Sequence, residues 1–353
     1  MKLKLFTCVV LLLVTLYSCT SKPTVIALCE RDAKGNYILK WELYPETDNV
    51  PAEIFVSDND SVFPSTPSFT VKSNDYIAII DNTSDSVEKR KYFRIKIGGT
   101  MSNIITNRFF EMDSIQNFRD IGGYITNDNR TVRWGKLFRS GSFFRMTTHD
   151  SVELSTLGIK TVIDLRSEDV KRPYIDRFKS ANNVRIPISE KGYSSISQKV
   201  MDGKFLRGDA VIYTQDTYKD MIVNFADDYA RFFDYLCDEN NYPIAYNCYL
   251  GKDQSGLATY FLLRALDVPL DVIEEDYMWS GIGIDRTKLV KDADSLTESR
   301  QEALTMLTKT DLAYLKYGIS CIREMSGSVD DYMLNKLKIT PEKKKKLKAI
   351  LLH

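Results

Sequence analysis

The chain has 353 residues, 48 Lys and Arg against 48 Asp and Glu, and 43% apolar side chains. A zero formal charge argues against nucleic acid as a partner, because such binders rely on an excess of basic groups for phosphate contacts. Disorder, collagen and disulfide-dense miniproteins are excluded on the same figures, and the length suits about two domains. His149 and His353 are the two histidines, too few for a multi-histidine metal site or a ready Ser-His-Asp triad.

Lys2 and Lys4 precede an uncharged, mostly apolar run over residues 5–17. That matches the charged start and short apolar stretch of an export signal covering residues 1–18, and it is too short for a permanent membrane span. Leu16-Tyr17-Ser18-Cys19 resembles a bacterial lipobox, in which the cysteine becomes the lipidated first residue. The resemblance implies lipidation of Cys19 and an exported, membrane-anchored lipoprotein on the periplasmic or cell-surface side, with the outer membrane as the expected site. Contact with the membrane is then through the lipid anchor alone. Cys29, Cys237, Cys248 and Cys321 remain, without a CxxC pair, so nothing in the spacing demands a disulfide.

Residues 24–112 read as seven short runs at 25–29, 37–43, 53–57, 68–71, 76–80, 92–97 and 104–110, separated by clusters such as Asp58-Asn59-Asp60-Ser61. Such a rhythm, with no helical period, predicts an all-β sandwich with Trp41 and Phe93 in its core. The Trp41 run and Lys91-Tyr92-Phe93-Arg94 resemble a fibronectin type III or immunoglobulin-like module. From 113 to 353 the pattern changes to strands followed by helices. A short helix ends at 154–157, strands follow at 159–164 and 243–246, and an apolar stripe from Met221 to Leu236 has helical spacing. This order predicts an α/β domain with a mostly parallel sheet and a helical C-terminus, with helix starts at Ser328 and Thr340-Pro341. Residues 189–217 lack a period and read as a lid or insertion. Lys343 to Lys346 read as the solvated face of a terminal helix.

Cys248 follows a predicted strand, precedes Tyr249-Leu250-Gly251-Lys252-Asp253-Gln254-Ser255-Gly256, and is followed by an apolar helix. Main-chain amides of such a loop and the positive end of the helix suit an oxyanion, and the same field favours a thiolate. A thiolate under a phosphate cradle is what in-line attack on phosphorus needs. Lys252 would add a point charge, and Ser255 is placed to donate to the sulfur.

Asn247 to Gly256 resembles the phosphate-binding loop of the tyrosine-phosphatase superfamily, closest to the bacterial tyrosine/serine phosphatase branch with its HCxxGKDRTG pattern. Asn117-Phe118-Arg119-Asp120-Ile121-Gly122-Gly123-Tyr124, Leu137-Phe138-Arg139-Ser140-Gly141 and the stretch from Gly158 through Asp164-Leu165-Arg166-Ser167 resemble further motifs of that branch, in order. Gly327-Ser328-Val329-Asp330-Asp331-Tyr332 is similar to its closing segment. The resemblance implies hydrolysis of phosphate monoesters through a cysteinyl-phosphate on Cys248, with no metal or other cofactor. The implied partner is a phosphorylated protein or a small phosphate monoester: phosphotyrosine first, with phosphoserine, phosphoinositides and inositol phosphates open. Tyr249, Leu250, Gly251, Lys252, Gln254, Ser255 and Gly256 would form the cradle. Asp253 is the first candidate for general acid and Asp164 the second. Arg119, Asp120, Arg139 and Arg166 either line the mouth of an anion pocket or form structural ion pairs.

Two positions depart from the pattern: the histidine before the nucleophile is Asn247, and the loop arginine is Gln254. Glutamine replaces a charged two-pronged fork by one neutral amide, a loss of about 3 to 5 kcal/mol of transition-state contact. Three outcomes are open for the loop: slow hydrolysis, binding without turnover in a pseudophosphatase, or an inert buried cysteine. A further alternative is a surface adhesion lipoprotein acting through its sandwich.

Overall fold

A computed structural model of the chain describes residues 24–46, 50–81, 89–143, 146–167, 178–179, 181–188, 198–285 and 295–353. The export segment, Cys19 and residues 189–197 lie outside the described residues. Alternation of apolar and polar side chains builds β1 (Thr24–Arg31), β2 (Tyr37–Tyr44), β3 (Pro51–Ser57), β4 (Phe69–Lys72), β5 (Ile77–Ile80), β6 (Tyr92–Ile97) and β7 (Thr100–Met101). In β2, Tyr37, Leu39, Trp41 and Leu43 are buried while their neighbours point outward. The strands form two antiparallel sheets, ordered β1-β2-β5 and β4-β3-β6-β7. Leu39 and Trp41 of one sheet share a core with Ile54, Phe93 and Ile95 of the other.

The run at 104–110 is not a strand. It makes isolated bridges, Ile105 with Phe93, Asn107 with Cys29 and Phe109 with Arg119, and its Arg108 and Phe110 side chains pack against rings later in the chain. Trp134 Nε1 donates to the Ile104 carbonyl at 2.9 Å. Arg108 donates to the carbonyls of Asp120 and Gly122 at 2.9 and 2.7 Å and lies over the rings of Tyr124, Trp134 and Trp279. Arg90, 8% exposed, pairs with the buried Asp120 carboxylate. Asp120 thus belongs to this seam and not to the rim of an anion pocket.

The second sheet system holds β8 (Arg119–Asp120), β9 (Leu137–Ser140), β10 (Thr161–Asp164), β11 (Asn182–Arg185) and β12 (Ile244–Asn247), in the order β11-β10-β12-β9-β8. All of its pairs are parallel except β8 with β9. Successive residues of a strand face opposite sides. Leu137, Ile163, Ile244 and Tyr246 therefore enter the large core against helices, while Phe138, Val162 and Ala245 face a smaller one with Leu154.

Nine helices lie wholly within the described residues: α1 (Thr148–Thr156), α2 (Arg207–Asn224), α3 (Ala226–Leu236), α4 (Gln254–Ala265), α5 (Leu270–Trp279), α6 (Glu298–Thr308), α7 (Leu312–Ser326), α8 (Val329–Asn335) and α9 (Pro341–Leu351). The stripe from Met221 to Leu236 is split between α2 and α3 at Phe225, whose φ of −116° and ψ of 22° leave the helical range. Residues 207–217, within the stretch that read as a lid or insertion, are helical: Ala210, Thr214, Thr217 and Tyr218 share a buried face of α2. Ser328 and Thr340 do cap α8 and α9, accepting from the amides of Asp331 and Lys343. Among the described residues no helix is long and apolar enough to cross a membrane.

Candidate active site

β12 ends at Asn247 and α4 begins at Gln254, so Cys248 to Asp253 form a turn at the C-terminal edge of the parallel strands, where α/β sheets commonly bind ligands. Cys248 is 1% exposed, and its Sγ lies 3.3 Å from Ser255 Oγ. The turn is tight: Gly251 has φ +68°, and a Cβ there would stand 2.4 Å from the Ser140 carbonyl carbon. The contact admits no other residue without a shift of the backbone, and the left-handed φ disfavours one.

What holds the turn is a buried polar layer behind it. Asn117 Nδ2 donates to the carbonyls of Leu250 and Gly251 at 3.1 and 2.9 Å. Arg139 donates through Nε to the Gly251 carbonyl at 2.9 Å and through Nη2 to that of Lys252 at 3.1 Å. A trans peptide sets C=O and N–H on opposite sides. Carbonyls drawn backwards therefore turn the amides of Gly251, Lys252 and Asp253 forwards. Leu257 N–H, bonded to the Asp253 carbonyl, is the first amide of α4 with a partner; those of Leu250 through Gly256 have none among the described residues. A row of free amides at a helix start is an oxyanion site in waiting.

Arg139 is in turn held by Asp276 of α5, its Nη1 at 2.7 Å from Oδ2. Arg119 approaches the same carboxylate through Nε at 3.1 Å, donates to the Asp276 carbonyl and Ser280 Oγ, and bonds Asn117 Oδ1. Tyr124 OH donates to Asp276 Oδ1 at 2.9 Å. Burial would push the Asp276 carboxyl up, but the two guanidinium groups outweigh it and hold it down to about 2. Arg119 and Arg139 are both fully buried, so they do not line a pocket mouth. They are the ion-pair alternative, fixing the loop from behind. Asp276 and Ser280 carry no sequence signal, lying in an ordinary amphipathic helix and just past its end.

In front of the loop, Arg166, Ser167, Tyr213, Thr214, Thr217, Tyr249, Leu250, Asp253, Gln254 and Leu307 line a narrow cleft. Arg166 stands at this wall, with Nε and Nη2 on the Asp164 carboxylate at 2.9 and 2.8 Å and Nη1 on Ser142 Oγ at 2.8 Å. That fork engages Asp164, the second general-acid candidate, as an ion-pair partner. Lys252 is fully buried, its Nζ 3.2 Å from both Asp253 Oδ1 and the Lys309 carbonyl. Its charge serves the loop's own carboxylate. Asp253 is partly exposed and borders the cleft, with Tyr218 OH donating to Oδ1 at 3.0 Å. Asn247 Oδ1, where the family pattern has an imidazole, is buried with no partner among the described residues. Cys29, Cys237, Cys248 and Cys321 are all free thiols.

A cysteine on a parallel strand's end, an amide-lined turn and a helix start define a phosphate-loop α/β domain of the tyrosine-phosphatase type. The chain belongs to the tyrosine phosphatase family, whose family model matches residues 110–353. A Cupriavidus necator protein named as a tyrosine-protein phosphatase is 28% identical over 234 residues, covering 64% of this chain and 83% of that one. Among solved structures, the Siw14 catalytic core is 12% identical, spans 60% of this chain and 95% of its own, and gives a TM-score of 0.31. Pseudomonas aeruginosa TpbA in complex with pTyr is 14% identical, with 50% and 90% coverage and a TM-score of 0.24.

Proposed function

We propose that the chain hydrolyses phosphate monoesters through a cysteinyl-phosphate on Cys248, slowly. The observation that carries this reading is the placement of Cys248 Sγ beside Ser255 Oγ, under a turn whose carbonyls are tied back and whose amides are left to an oxyanion. In the first step Cys248 Sγ bonds to phosphorus. The phosphorus–ester oxygen bond breaks, its electron pair leaves on that oxygen, and Asp253 supplies the proton. In the second, water attacks phosphorus, Asp253 takes its proton and the sulfur leaves as thiolate with release of phosphate. Ser255 Oγ donates to the sulfur, and the loop amides hold the non-bridging oxygens.

A second reading rests on Gln254. Arg119 and Arg139 are tied to Asp276, and Arg166 to Asp164, so a guanidinium fork for the transferring group would have to come from breaking one of these pairs. Binding of phosphorylated ligands with little turnover follows if none breaks. One experiment separates the readings: hydrolysis of a small aryl phosphate by wild type and Cys248→Ser, with and without orthovanadate. Vanadate-sensitive turnover absent from Cys248→Ser is expected. Equal rates in both proteins would overturn the cysteine mechanism, and phosphotyrosine binding without turnover would establish the second reading.

We also propose that residues 24–112 form a separate immunoglobulin-like or fibronectin-like unit ahead of the phosphatase unit at 113–353, and that lipid on Cys19 tethers both outside the cytoplasm. The alternating strands and shared core support the separate unit, and the lipobox-like Leu16-Tyr17-Ser18-Cys19 supports the tether.

A further inference from the structure

Asp253 Oδ1 accepts from Tyr218 OH at 3.0 Å and is ion-paired with Lys252 Nζ at 3.2 Å. Oδ2 has no partner among the described residues, and Asp253 borders the cleft. Tyr218 is itself held from three sides. Its oxygen lies 2.6 Å from Tyr277 OH, and since its own proton goes to the carboxylate, Tyr277 must be the donor there. Its ring stacks on Tyr314 at 6.4 Å between centroids. Gly318 of α7 backs it so closely that a Cβ would stand 3.2 Å from Tyr218 Cδ1. Burial, and after it the Asp253 carboxylate, raise the Tyr218 phenol well above its ordinary value, so it stays a neutral donor.

We propose that Tyr218 is a positioning residue for the phosphatase reaction: it pins Oδ1 of Asp253 so that Oδ2 is the atom that gives and takes the proton at the ester oxygen. The inference rests on the reading of Asp253 as general acid. Tyr277 acts one step behind, fixing the phenol that fixes the carboxylate, and α2 is thereby a working wall of the site as well as packing.

General-acid help matters for a poor leaving group and little for a good one, so the test compares kcat/KM on phenyl phosphate and 2,4-dinitrophenyl phosphate. Tyr218→Phe should lose about tenfold or more on the phenyl ester and under about twofold on the dinitrophenyl ester, a selectivity that Asp253→Asn should show more strongly. Uniform loss on both esters would make Tyr218 a packing residue and overturn the inference alone. If Tyr218→Phe does not fold, Tyr277→Phe reads the same selectivity at smaller size: a loss confined to the phenyl ester supports the inference, and a uniform loss overturns it. Turnover that persists in Cys248→Ser would instead overturn the reaction on which the inference stands.

Discussion

Behind the phosphate loop, Asn117, Arg119, Arg139, Asp276 and Ser280 are buried and bonded to one another or to loop carbonyls. In front of it, a glutamine stands where the family pattern has arginine, and the Arg166 guanidinium that lines the cleft is forked onto Asp164. The two sides teach different things about what a phosphate loop requires. Its shape is a folding matter, since a strained turn needs its carbonyls satisfied whether or not a substrate ever arrives. Its grip is a catalytic matter, and Gln254 is where this chain departs from the pattern.

The contrast can be broken most forcefully from behind. Asp276→Asn leaves two buried guanidinium groups facing a neutral amide, and removing one partner of such a pair costs about 3 to 5 kcal/mol. Urea unfolding should show a loss of that size, and phosphate affinity should fall with it. A variant as stable as wild type would mean that the layer does not hold the loop.

The front should answer in the opposite manner. Gln254→Arg restores a charged fork and should raise kcat by about 100-fold while moving stability by under about 0.5 kcal/mol. An unchanged rate would show that the missing fork is not what limits turnover.

Acid sharpens the comparison with the smallest effect. The Asp276 carboxyl sits at 3.8 when unperturbed and about 2 in the fold. The stability it contributes is therefore fully present above 3.8 and lost as pH falls through 2, because in that window the unfolded chain binds the proton more readily. Wild type should lose unfolding free energy more steeply between about pH 4 and about pH 2 than Asp276→Asn. Parallel profiles would show that the Asp276 carboxylate contributes nothing to stability across that range.

Much of this was legible in the residues. Period-two alternation in residues such as Tyr37, Leu39, Trp41 and Leu43 is a local property, so the β half and its core follow from pattern alone. Cys248, Gly251 and Ser255 were legible because a tight turn between a strand and a helix restricts nearby positions in a short stretch. The run at 104–110 departs from its strand-like pattern since its Ile104 carbonyl and Arg108 guanidinium answer to a seam with Trp134 and Tyr124, outside the run. The helical identity of 207–217 was hidden because α2 buries Thr214, Thr217 and Tyr218, polar residues that break an apolar stripe.

By itself, the sequence determined the family, the strand-loop-helix setting of Cys248, and the absence of an arginine at 254. It left every charge in the motifs with two possible duties. Tertiary structure decided between them: Arg119 and Arg139 turn inward because Asp276, more than 130 residues away along the chain, offers a buried counter-charge. Asp253 borders the cleft, with a phenol from another helix donating to one of its oxygens. Pairings of that kind depend on which elements the fold brings within about 3 Å, and no local pattern encodes them.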